Sequence, residues 1–381
     1  MVTFIHTADW QIGKQFANIP GDVGAIVRER RVETVKLIAA IATERKVDAV
    51  LVAGDLFDSN LIQSKTIWQT IAAMAEFTGK WLIIPGNHDS ADSDSAWARL
   101  KKIWSSENIH VLDKPEPYYL RSANTVILPA PLQRRHESRD LTVWFDDCVT
   151  DPSLIRIGLA HGSMQNRLLK LGDAPNTIAD TRSDSAKLDY FALGDWHGTS
   201  KIAPRTWYSG TPEPDRFREN DSGNILMVEI DSPGKEPQVT PIATGYFRWL
   251  SHELSIFQAS DIASIKQMLL ETGHPLDRIL LRLTLNGAVS LESRAGIDGS
   301  LEMLSAELRY LESDFDGLRA EPIQSDLDDI ERSGFVRTAI NKLASIAADA
   351  SDVNAETARL ALNLLYVEHK QLETSDVYKK N

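Results

Sequence analysis

Short runs dense in apolar residues recur through the first half of the chain, and the stretches between them change pattern. VTFIHTA at the start, DAVLVAG (48–54), KWLIIPG (80–86), NTVILPA (124–130), RIGLAH (156–161) and YFALG (190–194) are continuous apolar stretches of strand length. Runs of this kind predict strands buried on both faces. Between the first two lies RERRVETVKLIAAIATERK, with apolar residues at 32, 35, 38, 39 and 42, the spacing of one helix face. Strand, helix, strand in repetition predicts an α/β fold.

Near residue 231 the texture changes. The turn-rich DSPGKEPQ and a connector around 245–255 lead into a smaller region. There HELSIF, a helix around 259–272, the strand-like RILLRLTLNG and a helix around 299–313 predict a small α+β unit. Two further helices are expected over Gly334–Ala348 and Asn354–Glu373. Phe335, Ala339, Leu343 and Ile346 line one face of the first. Leu360, Leu364 and Val367, joined by Ala361 and Leu365, line one face of the second. The expected domains are therefore 1–248, 249–325 and 326–381. The terminal pair either packs on the body of the protein or docks apolar faces on a partner helix.

Composition narrows the class. With 381 residues the chain is too long for one ordinary domain, and 43% apolar with 25% charged residues is the balance of a folded soluble protein. No apolar stretch approaches bilayer length, and the opening residues lack the pattern of a signal peptide. A cytoplasmic protein without membrane attachment is expected. Cys148 is the only cysteine, which excludes an intrachain disulfide and a cysteine-built zinc site. A net charge of −13 speaks against nucleic-acid binding, but residues 251–381 hold 13 Lys+Arg against 22 Asp+Glu, and residues 1–250 hold 28 against 32. The first part becomes neutral or positive if some of its carboxylates hold cations. There is no GxxxxGK[ST] loop, so any ATP driving this system is bound by another chain.

The informative residues follow the strands. The first strand ends in TAD and supplies Asp9. The second ends in AGDLFD and supplies Asp55 and Asp58, and the third ends in PGNHD and supplies Asn87, His88 and Asp89. AHG supplies His161, and LGDWHG supplies Asp195 and His197. In open α/β sheets the functional crevice lies outside the carboxyl ends of the strands. Each residue alone is ordinary turn chemistry, but together they form a carboxylate, carbonyl and imidazole cluster suited to manganese, iron or zinc. Gln11, two residues after Asp9, either offers its amide oxygen to a cation or bonds a neighbour. His6 is read as a strand residue with its own hydrogen bond. Arg134, Arg135, Arg167, Lys170, Arg216 and Arg218 are candidates to hold nucleic-acid phosphates, with solvated surface as the competing reading. Trp10 and Trp196 adjoin proposed ligands, where packing beside the site competes with stacking on a base.

The order D-x-(H), GDxxD, GNHD, HG, GxxH is similar to that of the calcineurin-like metallophosphoesterases. HTADWQIGK, YFALGDWHGT and TWYSGTPEPDRF resemble SbcD-type nuclease subunits, which act with SMC-like ATPases in double-strand-break processing. The resemblance implies a β-sandwich flanked by helices, a small capping domain, and C-terminal helices that dock on the ATPase. It implies a homodimer within a heterotetramer, with DNA as substrate and both exonuclease and endonuclease activity. It also implies two divalent metal ions bridged by Asp55. Asp9 and His197 complete one position, with Gln11 as a further candidate ligand, and Asn87, His161 and Asp195 complete the other. By the same resemblance His88 stabilises the phosphoryl group and protonates the leaving oxygen, while Asp58 orients His88 and favours its charged form. The chain departs from the family twice: D-x-H is Asp9-Trp10-Gln11, and G-H-x-H is Gly194-Asp195-Trp196-His197. Both changes replace nitrogen by oxygen, so manganese first and magnesium second are expected over zinc. Two rival readings are a phosphodiesterase for a small substrate such as a cyclic nucleotide, and a DNA-end-binding scaffold whose altered motifs weaken catalysis.

Overall fold

The computed structural model describes residues 1–92, 95–103, 107–165, 176–320, 334–349 and 351–378, and its contacts divide the chain into two units, Met1–Phe247 and Arg248–Asn381. In the first unit β1 (Val2–Thr7) leads through α1 (Val23–Glu44) to β2 (Ala49–Ala53). The chain continues through α2 (Ser64–Met74) to β3 (Lys80–Ile84), and through α3 (Ala96–Ile103) to β4 (Ile109–Val111). These four strands pair in parallel, which the helical crossovers between them allow. Then follow β5 (Tyr118–Leu120), β6 (Thr125–Ala130), α4 (Trp144–Asp147), β7 (Ile155–His161), the short pair β8 (Ser163–Met164) and β9 (Thr177–Ile178), and α5 (Arg182–Ser185). After them come β10 (Tyr190–Gly194), β11 (Ser200–Ala203) and β12 (Thr206–Tyr208). The second sheet has the order β11-β12-β10-β7-β6-β5. Finally β13 (Asn224–Ile230) returns to pair antiparallel with β1, and β14 (Gln238–Ala243) pairs with it, completing the first sheet as β14-β13-β1-β2-β3-β4.

The two sheets stack into the sandwich flanked by helices that the α/β reading called for. Side chains alternate along each strand, so Phe4, Ala49, Leu51, Leu82 and Ile84 point inward to meet Ile127, Ile157, Leu159, Tyr190 and Ala192 of the opposite sheet. Their sequence neighbours Ile5, Val50, Val52, Trp81 and Ile83 point outward and are covered by Val35, Ile38, Ala39, Ile67, Ile71 and Met74 of α1 and α2. Burial on both faces is why these strands read as unbroken apolar runs.

In the second unit β15 (Arg248–Ser255), α6 (Ile262–Glu271), β16 (Ile279–Val289), α7 (Leu291–Glu307) and β17 (Tyr310–Ala320) alternate, and the three strands pair in parallel around Leu281, Leu283, Ile265, Leu269, Ile297 and Leu304. The helix expected over 299–313 thus begins earlier, and its end is strand. Helices α8 (Gly334–Ala348) and α9 (Ala355–Tyr378) follow, while the expected boundary at 325/326 lies outside the described residues. Their packed face is Ile340, Ala347, Ala358, Leu362 and Tyr366 against Leu291 of α7, with Leu343 and Leu365 partly buried. Phe335, Leu360 and Leu364, expected on the apolar faces, are exposed instead. Among the described residues no helix is long and apolar enough to cross a membrane.

Candidate metal centre

Parallel pairing puts the carboxyl ends of β1, β2 and β3 side by side, and those of β7 and β10 likewise, with Gly194 level with His161. Where the strands stop, the chain turns through left-handed backbone: φ is 54° at Asp9, 41° at Gln11, 53° at Asp55 and 99° at Asp195. Such values cost a residue with a Cβ roughly 1–3 kcal/mol each and cluster at functional sites. Backbone bonds hold the turns, with Asp9 N–H donating to Gly54 O (3.1 Å) and Gln11 N–H to Asp55 O (2.9 Å). The glycines of the G-D and G-N motifs make room for this crowding. A Cβ on Gly54 would stand 2.3 Å from His161 Nδ1, and one on Gly86 would stand 2.2 Å from Asp55 Oδ1.

Asp9, Asp55 and His161 are all buried, and one ligand atom from each lies within 4.8 Å of the others. His161 Nδ1 is 2.8 Å from the Ala53 carbonyl, which can only accept, so the ring proton sits on Nδ1 and Nε2 is turned to the site. Around Nε2 stand Asn87 Oδ1 at 3.0 Å, Asp55 Oδ1 at 3.5 Å and Asp195 Oδ1 at 3.9 Å. Ser163 Oγ donates to the other oxygen of Asp195 (2.7 Å), and the Asp195 N–H points at the Asp9 carboxylate (3.1 Å). Five predicted residues therefore converge, and their donor set of carboxylates, an amide oxygen and one imidazole fits a divalent cation.

The electrostatics fit too. Burial raises the Asp9 pKa, and although His197 and His161 oppose this, Asp55 and Asp195 add to it and the value reaches about 6. For His161, burial acts against the charged ring, but Asp55, Asp9, Asp195 and the Ala53 carbonyl outweigh it and lift the pKa to about 9. A buried carboxylate such as Asp9 that holds on to its proton beside other acids marks a place where positive charge is wanted.

Gln11 and His197 lie to one side. His197 Nε2 is 3.3 Å from the Gln11 amide nitrogen, its Nδ1 is 3.2 Å from Asp215 Oδ1, and Gln11 Oε1 is 3.3 Å from Lys14 Nζ. Lys14 and Arg216 both pair with Asp215. Burial alone would raise Asp215, but the bonds from His197 and Arg216 and the nearby Arg31 hold it well below the usual carboxylate range. Asp215 and Lys14 were not singled out from the sequence, although Asp215 stands within the TPEPDRF motif.

His88 is fixed by two contacts. Its N–H donates to Asp55 Oδ1 (2.9 Å), and its Nδ1 is 2.9 Å from the backbone carbonyl of Asp58. Asp58 was expected to orient the ring through its carboxylate. The carbonyl does this instead, so the ring is oriented without a direct charge partner. Asp89 is buried and accepts from Phe57 N–H and Gly86 N–H, shaping the loop that carries His88. His6 is fully buried between Tyr190 Oη (3.0 Å) and the Leu193 carbonyl (3.2 Å), away from the ligand group. Trp10 is buried edge-on against Trp81 and donates to Thr7, whereas Trp196 lies under the Arg218 guanidinium at 4.6 Å. Of the predicted basic residues, Arg216 reaches the His197 ring (2.9 Å). Arg134, Arg135 and Arg218 are exposed, and Arg167 and Lys170 lie outside the described residues.

Comparison with known proteins agrees with this chemistry. Residues 2–198 match the family model described as calcineurin-like phosphoesterase. A Bacillus subtilis (strain 168) protein named uncharacterized metallophosphoesterase YhaO is 22% identical over 378 residues, covering 86% of this chain and 89% of that protein.

Proposed function

The chain belongs to the calcineurin-like phosphoesterase family, and from that premise we propose that it is a manganese-dependent DNA nuclease, the catalytic subunit of an SbcD-like complex with an SMC-like ATPase. The observation that carries the reading is a buried cation-binding group directly beside a positioned, half-buried His88. Bound divalent ions supply Lewis acidity toward the phosphoryl oxygens and lower the pKa of water. Asp9, Asp55, Asn87, His161 and Asp195 would hold them, and four oxygen donors to one imidazole favour manganese over zinc. His88 gives its Nδ1 proton to the Asp58 carbonyl, and in its charged form the Nε2–H would stabilise the phosphoryl group and pass its proton to the leaving oxygen, leaving the ring neutral. The exposed Arg216 and Arg218 suit the phosphates of a nucleic-acid backbone. In the second unit the exposed Phe335, Val336, Leu360 and Leu364 offer the apolar contacts that a partner helix needs.

The test is a Mn2+-dependent assay on linear duplex and single-stranded DNA with the ATPase partner present. Wild type should cut, and His88→Ala and Asp55→Ala should not. If wild type cuts no better than either variant, the nuclease reading fails. Hydrolysis of cyclic nucleotides with no action on DNA would assign the chain to small substrates instead.

A further inference from the structure

The side chains around His197 satisfy one another. An ammonium can only donate, so Lys14 Nζ at 3.3 Å requires Gln11 to present its amide oxygen. The amide NH2 of Gln11 is then the group facing His197 Nε2 at 3.3 Å, and Nε2 must accept. That places the ring proton on Nδ1, which is 3.2 Å from Asp215 Oδ1, an atom that can only accept. Asp215 also receives Lys14, so the ring Lys14–Gln11–His197–Asp215 closes on itself. Arg216 donates to the same carboxylate from outside, and its Nη2 stands 2.9 Å from His197 Nδ1 and 3.3 Å from Nε2, a second positive charge beside the ring.

The His161 side is built the other way. Its Nδ1 proton is taken by the Ala53 carbonyl, and among the described residues Nε2 faces the oxygens of Asn87, Asp55 and Asp195. An imidazole nitrogen ringed by two carboxylates and an amide oxygen is a ready donor set for a divalent cation. Beside His197 the lone pair is already used, the Gln11 oxygen is turned away, and two positive side chains stand next to the position.

We propose that the two metal positions are unequal: the one at His161 binds a divalent cation preferentially, while the Lys14–Gln11–His197–Asp215 ring holds the one at His197 closed and weak. Gln11 is a hydrogen-bond donor to His197 and not a ligand, and Lys14 is the residue that makes it so. This rests on the metal-dependent reading of the site. The test is calorimetric titration of Mn2+ into chelator-stripped full-length protein, with electron paramagnetic resonance at one and at two equivalents. Wild type should take up one ion tightly and a second at least about tenfold more weakly, with no exchange-coupled manganese pair at one equivalent. Gln11→His, which supplies an imidazole, and Lys14→Met, which frees the amide to rotate, should each strengthen the second ion by roughly 10–100-fold and leave the first unchanged. Two equal sites in wild type, or a second site indifferent to both substitutions, would overturn the inference alone. Absence of any Mn2+ binding would overturn the metal-dependent reading with it.

Discussion

His6 carries the most direct test of how the sandwich interior treats charge. Its imidazole is fully buried between Tyr190 and the Leu193 carbonyl, and burial, only partly offset by that carbonyl, lowers its pKa from 6.5 to about 3. The folded-state value is depressed, so between the two values the unfolded chain binds a proton that the folded chain refuses. Stability is unaffected above the unfolded value, falls as pH drops below 6.5, and stops falling below about 3. At about pH 5, roughly 1.5 units below the unfolded pKa, the loss is about 2 kcal/mol at 1.36 kcal/mol per unit. His6→Gln places a neutral amide in the pocket, which cannot titrate. Buried carboxylates such as Asp9 have the opposite sign, but they contribute equally to both proteins and cancel in the difference. Urea unfolding followed by the fluorescence of the buried Trp10 and Trp81, with chelator present, gives the comparison. Between about pH 7.5 and pH 5, wild type should lose about 2 kcal/mol more than the variant. Equal losses would show that burial does not hold His6 neutral.

Other expectations follow from the same geometry. Arg31 is buried and donates to the carbonyls of Trp10 (2.7 Å), Glu213 (2.9 Å) and Asp9 (3.3 Å) and to Thr211 Oγ1 (3.0 Å), so Arg31→Met should cost about 3–5 kcal/mol in the same urea titration. A loss under about 1 kcal/mol would show that those acceptors find other donors. His88→Ala should lower phosphodiester hydrolysis by about 10²–10⁴ while leaving Mn2+ binding by calorimetry unchanged, and weakened binding would recast His88 as a ligand. The raised pKa of His161, about 9 before a metal binds, means that Mn2+ displaces a proton at neutral pH. Affinity should therefore rise about tenfold per pH unit below that value, with about one proton released per ion in buffers of differing ionisation enthalpy. Affinity independent of pH would contradict the assignment.

The apolar runs foretold β1, β2, β3, β6, β7 and β10 because those strands are buried on both faces and display no helical period. β8, β9 and β12 are two or three residues long and contain too little sequence to show any period. The helix expected over 299–313 runs into the first four residues of β17, in the acidic stretch YLESDFDGLRA, which shows no clear strand alternation. Its strand state comes from pairing along β16, from Leu280↔Tyr310 to Val289↔Ala320, a tertiary effect that overrides local preference. The terminal helices are apolar on more than one side, so period alone could not say that Leu362 would be buried and Leu364 exposed.

The candidate site divides in the same way. Asp9, Asp55, Asn87, His161 and Asp195 were legible because strand ends in a parallel sheet share an edge, and residue type supplies the rest. What surrounds His197 was not, since its bonds join residues far apart in the chain, Lys14 to Asp215 and Gln11 to His197. Spacing alone left two roles open for Gln11. On an extended strand residues two apart point to one face, which makes Asp9 and Gln11 look like paired ligands. Both instead occupy left-handed turns, at φ 54° and 41°, and their side chains part company: the Asp9 carboxylate joins Asp55 and His161, and the Gln11 amide goes to Lys14 and His197. Proximity to a ligand follows from the motif, but ligation depends on which atom a neighbour forces the amide to present, and here that neighbour is a lysine.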